Sequence, residues 1–188
     1  YIFDKYKLYN YEGDDFLAYL VLREFNKDKV TIVSSDKDFN QLISKSVKIF
    51  NPRKEQYIRE DNCKDLFDYS PEETVDYLSL VGDKSDDIDG YPGMGPKKTR
   101  SFLDKYGSIK SYLSNNEDEK MKAIYEKNKK LIDLRWYIKN IPLKKVPIKT
   151  YNDGSLNLDK FREICITYSL ASFLTNNFIK VFKSLNSK

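Results

Sequence analysis

The sequence contains no histidine among its 188 residues. Reactions that need an imidazole base, and metal sites that need imidazole ligands, are therefore excluded. The two cysteines, Cys63 and Cys165, lie far apart and form no CxxC pair, so we expect reduced thiols in a cytoplasm and no structural zinc site. No apolar run approaches the length of a membrane span, and no signal peptide pattern opens the chain.

Charge is abundant and unevenly distributed along the chain. Charged residues make up 33% of the sequence, and hydrophobic residues 40%, which is typical of a soluble globular protein. Residues 1–89 hold 13 Lys and Arg against 20 Asp and Glu, whereas residues 90–188 hold 20 against 9. An acidic half followed by a basic half indicates separate tasks, with cations bound by the first and a polyanion by the second. Ordinary solvated surface charge is the alternative.

The acidic half has the pattern of an α/β fold. Helical spacing over residues 12–26 precedes a β-branched run at Val30–Val33, a helical turn over 38–43 and a second strand over 47–50. Ser70 followed by Pro71 marks the start of a helix that runs to about Val81. This alternation predicts a partial parallel sheet with flanking helices.

The basic half is predicted to be almost entirely helical. A tight Gly- and Pro-rich loop over 89–96 separates it from the acidic half, and helical patterns follow over 97–106, 109–114, 118–139 and 158–183. We therefore predict two domains, residues 1–89 and residues 90–188.

Three short acidic motifs carry the candidate chemistry. Glu12-Gly13-Asp14-Asp15 stands at a predicted helix start, where simple capping is the alternative. Ser35-Asp36-Lys37-Asp38 directly follows a strand, where α/β proteins build ligand sites, although a turn is an equal alternative. Gly82-Asp83-Lys84-Ser85-Asp86-Asp87 ends a helix, where acids are unfavourable unless a cation compensates them.

These motifs together predict a site for hard cations. Mutual repulsion among converging carboxylates would be large unless cations were bound, and oxygen ligands alone favour Mg²⁺ or Mn²⁺. A pair of such ions is the standard apparatus for hydrolysing a phosphodiester. A calcium loop of the EF-hand type is a poor fit, because the register that puts Gly90 at position six puts Pro96 where a Glu is needed. The predicted metal ligands, which are also the predicted catalytic residues, are Glu12, Asp14, Asp15, Asp36, Asp38, Asp83 and Asp86.

A second signal is the run from Gly90 to Lys98, which is typical of a phosphate-binding hairpin. Gly93 and Gly95 allow a phosphate to approach the backbone closely, and the following helix presents free N–H groups. Lys97, Lys98 and Arg100 add positive charge. With flanking helices, this pattern predicts a helix-hairpin-helix that binds the DNA backbone without reading sequence. An ordinary turn is the minority alternative.

The four motifs, in this order and spacing, resemble the 5′-nuclease family of phage 5′-exonucleases, DNA polymerase I 5′-nuclease domains and flap endonucleases. The family's E-A-D-D, S-x-D-x-D and G-D-x-x-D-N match Glu12–Asp15, Ser34–Asp38 and Gly82–Asp87, with Asp87 in place of the usual Asn. Its G-V-P-G-I-G-P-K matches Gly90–Lys97. The resemblance covers roughly residues 10–140 and implies a PIN-like core.

By this resemblance, Glu12, Asp14, Asp15 and Asp36 would serve one metal region, and Asp38, Asp83 and Asp86 a second. The resemblance also implies cleavage near the junction of a 5′ single strand and duplex DNA, RNA primers as a further substrate of some members, and a K⁺ ion at the hairpin. Family members carry an N-terminal acidic strand and a basic arch before the E-A-D-D helix, so we expect a separate N-terminal segment or second chain to complete the site. A non-catalytic DNA-binding module is the alternative function.

Overall fold

The computed structural model of the chain describes residues 13–140 and 157–184, so the predicted ligand Glu12 lies outside the described residues. The chain divides into two compact units, Tyr1–Lys144 and Lys145–Lys188. The domain boundary predicted between residues 89 and 90 falls inside the first unit. That the two halves bind cations and a polyanion, respectively, stays a prediction.

The first unit mixes helices with short strands. Its α-helices are α1 (Gly13–Tyr19), α2 (Cys63–Phe67), α3 (Thr74–Val81), α4 (Pro96–Tyr106), α5 (Ile109–Leu113), α6 (Glu119–Ile132) and α7 (Leu134–Asn140). Its strands are β1 (Val30–Val33), β2 (Val47–Asn51), β3 (Gln56–Ile58), β4 (Gly82–Asp83) and β5 (Ile88–Asp89). A π-helical turn spans Leu20–Glu24, and 3₁₀ turns span Asp38–Leu42 and Pro71–Glu73.

The main sheet confirms the predicted α/β class. Strands β1 and β2 are parallel, with Val30 opposite Val47 and Val33 opposite Phe50. Strand β3 then pairs antiparallel with β2, which the sequence analysis did not predict. The reversal comes from buried Asn51, whose Oδ1 accepts the backbone N–H groups of Arg53 and Lys54 at 3.0 and 3.1 Å.

The sheet buries one face. Ile32, Ile49 and Ile58 are buried at 0 to 5% exposure, whereas Val33 and Tyr57 on the other face are 66% and 39% exposed. This alternation has the two-residue period of a strand with one face in the core. The chain that follows β1 leaves the sheet at the carboxyl ends of the parallel strands. The second acidic motif lies at this edge.

The helix predicted from Pro71 begins as expected. Ser70 and Glu73 form a capping box, in which the Ser70 N–H donates to the Glu73 carboxylate at 2.8 Å. The first turn is 3₁₀, and α3 continues it to Val81. Helix α3 packs against α4 and α6, so residues of the acidic and basic halves share one core.

Two predicted helices are interrupted. The helix predicted over 118–139 breaks at Asp133, which separates α6 from α7. In the second unit, the helix predicted over 158–183 divides into α8 (Leu158–Thr167), a 3₁₀ turn (Ala171–Leu174) and α9 (Asn176–Ser184). The chain leaves α8 through Ser169, which has a left-handed φ of 55°. Neither Gly nor Pro stands at this position to predict the end of the helix from the sequence. No helix in the described ranges is long and apolar enough to cross a membrane.

Candidate metal centre and nucleic-acid interface

Two turns bring three of the predicted acids together. Asp38 begins the 3₁₀ turn after β1, while Asp83 and Asp86 belong to the hairpin formed by β4 and β5. One carboxylate oxygen of each of these three side chains lies within 4.8 Å of the other two. Asp38 and Asp83, which are 45 positions apart in the sequence, thus meet with Asp86, and we call these three residues the acid cluster.

The first turn is organised by side-chain hydrogen bonds. The Asp36 N–H donates to Ser34 Oγ at 3.0 Å, and Asp36 Oδ1 accepts the Asp38 N–H at 2.9 Å. The carboxylate of Asp36 therefore caps the turn that presents Asp38. Asp36 itself is exposed and does not belong to the acid cluster, although its charge acts on Asp38.

The second turn is closed by two glycines in close contact. Gly82 has φ of +83°, and a Cβ there would lie 2.5 Å from the Gly90 backbone nitrogen. A Cβ on Gly90 would collide with the Leu80 carbonyl oxygen. Only glycine fits at either position, because backbone atoms occupy the space of the side chain. Beyond the glycines, Asp83 Oδ1 accepts the Ser85 N–H at 3.0 Å and the Ser85 hydroxyl at 2.6 Å.

The acid cluster has the electrostatics of a site built for a cation. Burial, reinforced by the charges of Asp36, Asp83 and Asp86, raises the pKa of Asp38 to about 7. Burial and the neighbouring Asp83 and Asp36 also raise the pKa of Asp86. Asp38 Oδ1 is buried and has no hydrogen-bond partner among the described residues. A buried carboxylate oxygen without a donor is costly, and a bound cation would satisfy it.

Asp83 differs from its neighbours because a lysine is already beside it. Its side chain is 4% exposed, and Lys37 Nζ lies 2.7 Å from Oδ2. Burial alone would raise the pKa of Asp83, but the bonds from Lys37 and Ser85 outweigh burial and lower it. No role was predicted for Lys37 from the sequence, although a cation inside an acidic motif was a usable signal.

The described ligand atoms fit a hard divalent cation. All are carboxylate oxygens, and the chain offers no histidine. The remaining predicted ligands that the structure describes are not in the acid cluster: Asp14 and Asp15 lie in the first turn of α1, which packs against the turn of Asp38. Asp15 is buried at 8% exposure. Their assignment as ligands stays a prediction, as does that of Asp36.

The acid cluster lies apart from a cleft of about 710 Å³ at the opposite edge of the sheet. That cleft is formed around the first residues of β1 and β2, and its lining includes Lys29, Lys45 and Lys48. None of the predicted metal or DNA ligands within residues 13–140 lines it, so the cleft is treated as separate from the candidate site.

The predicted hairpin places two lysines at the start of a helix. Gly93 is exposed with φ of +80°, and Gly95 is the residue before Pro96, which begins α4. Lys97 and Lys98, in the first turn, are exposed, and neither forms an ion pair with another described residue. Their charges and the N–H groups at the helix start are thus available to a phosphate.

Arg100 does not match its predicted role. Its guanidinium donates to both carboxylate oxygens of Glu73, at 2.9 and 2.7 Å, and also to Asp104 Oδ1 and the Asp68 carbonyl. The side chain is 18% exposed. Arg100 thus ties α4 to the start of α3. Because these acceptors occupy its guanidinium, the geometry does not support a DNA contact by this side chain.

Sequence reasoning also missed two buried amides that join the turns to α6. Gln41 is fully buried and bonds to the carbonyl of Asp38, and Asn128 bonds to the carbonyl of Asp89. Neither belongs to an acidic or glycine-rich motif. A polar residue within a hydrophobic pattern was the available signal, but its partners lie too far away in sequence to be identified.

Two family models match consecutive parts of the chain. The model described as the 5′-3′ exonuclease N-terminal resolvase-like domain matches residues 2–68. The model described as the 5′-3′ exonuclease C-terminal SAM fold matches residues 69–160.

Curated relatives and a solved structure agree with these models. A 5′-3′ exonuclease of Aquifex aeolicus is 41% identical over 59% of this chain and 39% of its own length. The flap endonuclease Xni of Shewanella pealeana is 32% identical over 80% of this chain and 57% of its own length. The chain thus spans about two to three fifths of these relatives. A bacteriophage T5 flap endonuclease, solved as a pseudo-enzyme–product complex with DNA and metal ions, is similar in fold, with a TM-score of 0.60 and 20% identity over 67% of this chain and 51% of that one.

Proposed function

The chain belongs to the 5′-3′ exonuclease family, and on that basis we propose that it forms part of a structure-specific 5′-nuclease that hydrolyses phosphodiester bonds of DNA. The observation that carries the proposal is the acid cluster, in which three carboxylates from two separate turns meet within 4.8 Å. The raised pKa of Asp38 and its unpartnered buried oxygen support a site that holds divalent metal.

The proposed cofactors are Mg²⁺ or Mn²⁺, as a pair of ions. Held by these carboxylates, such ions would supply activation of the attacking water and stabilisation of the charge that develops on the phosphodiester oxygens. Asp38 and Asp83 would hold the metal, with Asp86 contributing from the exposed side of the hairpin turn. Ser85 orients the carboxylate of Asp83 by two hydrogen bonds, and Asp36 orients the turn of Asp38.

The proposed DNA contact is the loop that leads into α4. Gly93 and Gly95 leave the backbone open to a phosphate, because a Cβ at either position would meet no atom within 4 Å. Lys97 and Lys98 supply charge in the first turn of the helix that follows. Such contacts hold a duplex without reading its sequence. The proposal also includes a K⁺ ion at this loop.

The substrate is proposed to be duplex DNA with a 5′ single-stranded flap or end, and RNA–DNA hybrids as found at primers. The flap endonuclease relatives, and the T5 enzyme solved with DNA, support the flap. Because the chain spans 39% and 57% of two relatives, we assign the rest of the active site to a further segment or a second chain. The site of action is proposed to be the bacterial cytoplasm.

The test is cleavage of a 5′-flap DNA duplex by the chain in Mg²⁺ or Mn²⁺, alone and with an N-terminal segment of a relative added. We expect release of the flap, and loss of at least a hundredfold of the rate in Asp38→Asn and Asp83→Asn, because each removes a proposed ligand. Asp61→Asn, at an exposed loop far from the cluster, is the matched control. Unchanged cleavage in both ligand variants would overturn the metal assignment. DNA binding without cleavage under every condition would favour a binding module.

A further inference from the structure

Gln41 joins the turn of Asp38 to the junction between α6 and α7. The side chain is fully buried, and its Nε2 donates to the carbonyls of Asp38 and Ile132, both at 2.9 Å. Its Oε1 accepts the Leu134 N–H at 3.0 Å. Ile132 ends α6 and Leu134 begins α7, so one amide satisfies an orphan carbonyl and an orphan N–H at the helix break.

Asn128 makes the corresponding connection to the other acidic turn. It is 1% exposed, and its Nδ2 donates to the carbonyls of Ser79 at 3.0 Å and Asp89 at 2.7 Å. Ser79 lies in the last turn of α3, where carbonyls lack helical partners. Asp89 pairs with Gly82 in the hairpin, directly before Asp83.

Both connections therefore end on α6. Asn128 lies one helical turn before Ile132, the α6 carbonyl that Gln41 reaches. One amide holds the turn of Asp38, and the other holds the base of the turn that carries Asp83 and Asp86. An amide that only capped helix ends would not need the carbonyl of Asp38 or that of Asp89. Helix α6 thus connects the two halves of the acid cluster through the hydrogen bonds of two buried amides.

We propose that Gln41 and Asn128 are positioning residues that set the separation between Asp38 and the Asp83–Asp86 turn through their common attachment to α6. This inference rests on the proposed function, because it assigns the acid cluster to metal binding. The two turns belong to separate segments, and their carboxylates repel one another, although the Lys37–Asp83 ion pair offsets part of that repulsion. Without the amides, that repulsion would widen the cluster in the metal-free protein, and binding would have to reverse the widening.

The experiment measures Mn²⁺ affinity by isothermal titration, with the free energy of unfolding measured in urea for each variant. Gln41→Met and Asn128→Leu keep the volume and remove the amides. We expect each to weaken Mn²⁺ binding by about tenfold or more, as is common when a residue that orients a metal ligand is replaced. Because both amides constrain the same separation, the double variant should lose less than the product of the two single losses.

The matched control is a neighbouring amide of the same turn, whose side-chain bond runs to Tyr69 and not to α6. Asn40, next to Gln41, is fully buried and donates to the Tyr69 hydroxyl at 3.2 Å. Tyr69→Phe removes that bond, and should lower stability without changing the Mn²⁺ affinity of the folded protein. A similar stability loss in Tyr69→Phe and Gln41→Met, with weakened Mn²⁺ binding only in the second, would separate positioning from packing.

The outcomes distinguish this inference from the proposed function. If Asp83→Asn abolishes Mn²⁺ binding but Gln41→Met and Asn128→Leu bind Mn²⁺ like the wild type, the positioning role is wrong and the metal site stands. If the amide variants weaken Mn²⁺ binding while the wild type cleaves no flap DNA, either alone or with the added N-terminal segment, the positioning role stands and the nuclease assignment fails. A wild-type chain that binds no Mn²⁺ would overturn both. If a Gln41→Met chain does not fold, Asn128→Leu tests the same helix from its other attachment.

Discussion

Lys37 Nζ lies 2.7 Å from Asp83 Oδ2, within the proposed metal centre. The lysine is 37% exposed, whereas the carboxylate is 4% exposed, so the pair reaches from the surface into the acid cluster. The ammonium group neutralises an acid that would otherwise be buried beside two others. It also engages a carboxylate that the proposed metal ion would use, so we expect Lys37 and a divalent cation to compete for Asp83.

Replacement of Lys37 should therefore have opposite effects on stability and on metal binding. Lys37→Met is expected to lower the free energy of unfolding of the metal-free protein by about 1 to 2 kcal/mol, since the lysine is partly exposed. It should strengthen Mn²⁺ binding by roughly three- to tenfold, which titration calorimetry can measure. Lys84→Met, at an exposed position in the hairpin turn, is the control and should do neither. Weaker Mn²⁺ binding in Lys37→Met would contradict the competition.

Asp38 should make the stability of the metal-free protein depend on pH. Its pKa is raised from 3.8 to about 7, so the folded chain holds the proton more tightly than the unfolded chain. The free energy of unfolding should consequently fall as pH rises from about 4 to about 7 and then level off. The fall is expected to be roughly 2 to 4 kcal/mol, given about 1.4 kcal/mol per pKa unit.

Urea unfolding across this pH range in the presence of a chelator measures the effect. Asp38→Asn should remove most of the fall and be the more stable protein above pH 7. Saturating Mn²⁺ should abolish the fall in the wild type, because the ion favours the ionised carboxylate. The prediction would be refuted if the free energy of unfolding of the wild type rose between pH 4 and pH 7, and by as much as that of Asp38→Asn.

Lys97 and Lys98 should account for part of the salt dependence of DNA binding. Replacing both with Gln removes two phosphate contacts, so the slope of log K against log salt should become shallower by about 2. The weakening should be similar for duplexes of different sequence. Lys27→Gln combined with Lys54→Gln removes the same charge from exposed positions elsewhere. Equal slopes for the two double variants, measured by fluorescence anisotropy, would reject a specific role for α4.

Arg100 should matter for folding more than for DNA. Arg100→Met leaves Glu73 half-buried beside the capping box without its cation, and should cost roughly 2 to 3 kcal/mol of unfolding free energy near pH 7. The bonds from Arg100 outweigh the effect of burial and lower the pKa of Glu73, so this contribution is lost as pH falls below the ordinary value of 4.5. Under conditions where the variant is folded, its duplex affinity should drop less than that of Lys97→Gln.

Replacing glycine with alanine should lower the free energy of unfolding at Gly90, where the backbone of Gly82 is in close contact, and raise it at a control position. Gly90→Ala should cost about 2 kcal/mol or more, because a Cβ would collide with the carbonyl of Leu80 and the backbone of Gly82. Gly13→Ala, in α1, meets no atom within 4 Å and should stabilise the chain by roughly 0.5 to 1 kcal/mol. Thermal unfolding of the two variants would decide, and an equal effect of both would contradict the packing argument.

The elements that could be predicted from the sequence are those with local causes. Ser70 and Pro71 define a helix start within four residues, and the run Val30–Val33 is a strand because β-branched residues favour one. The acidic turn after β1 follows from the same local pattern. The convergence of Asp38 with Asp83 is implied by the family resemblance alone, and the structure brings a carboxylate oxygen of each within 4.8 Å of the other.

The elements that could not be predicted depend on distant partners. The break at Asp133 is stabilised by Gln41, more than 90 residues away, so no window around Asp133 contains its cause. Arg100 has the spacing of a phosphate ligand, but the carboxylate of Glu73, 27 residues earlier, occupies it. Both cases show local propensity overridden by a side chain that only the folded chain brings near.

The close contact of Gly82 and Gly90 also has a consequence for how this centre can diversify. It fixes where the acidic turn leaves and rejoins the helical framework, while residues 84–87 between the two short strands are exposed. Changes of length or composition in those four positions would be absorbed outside the framework, with α3 and α4 left in place. We therefore expect substitutions in this turn to alter the ion preference of the proposed metal centre while the surrounding helices keep their positions.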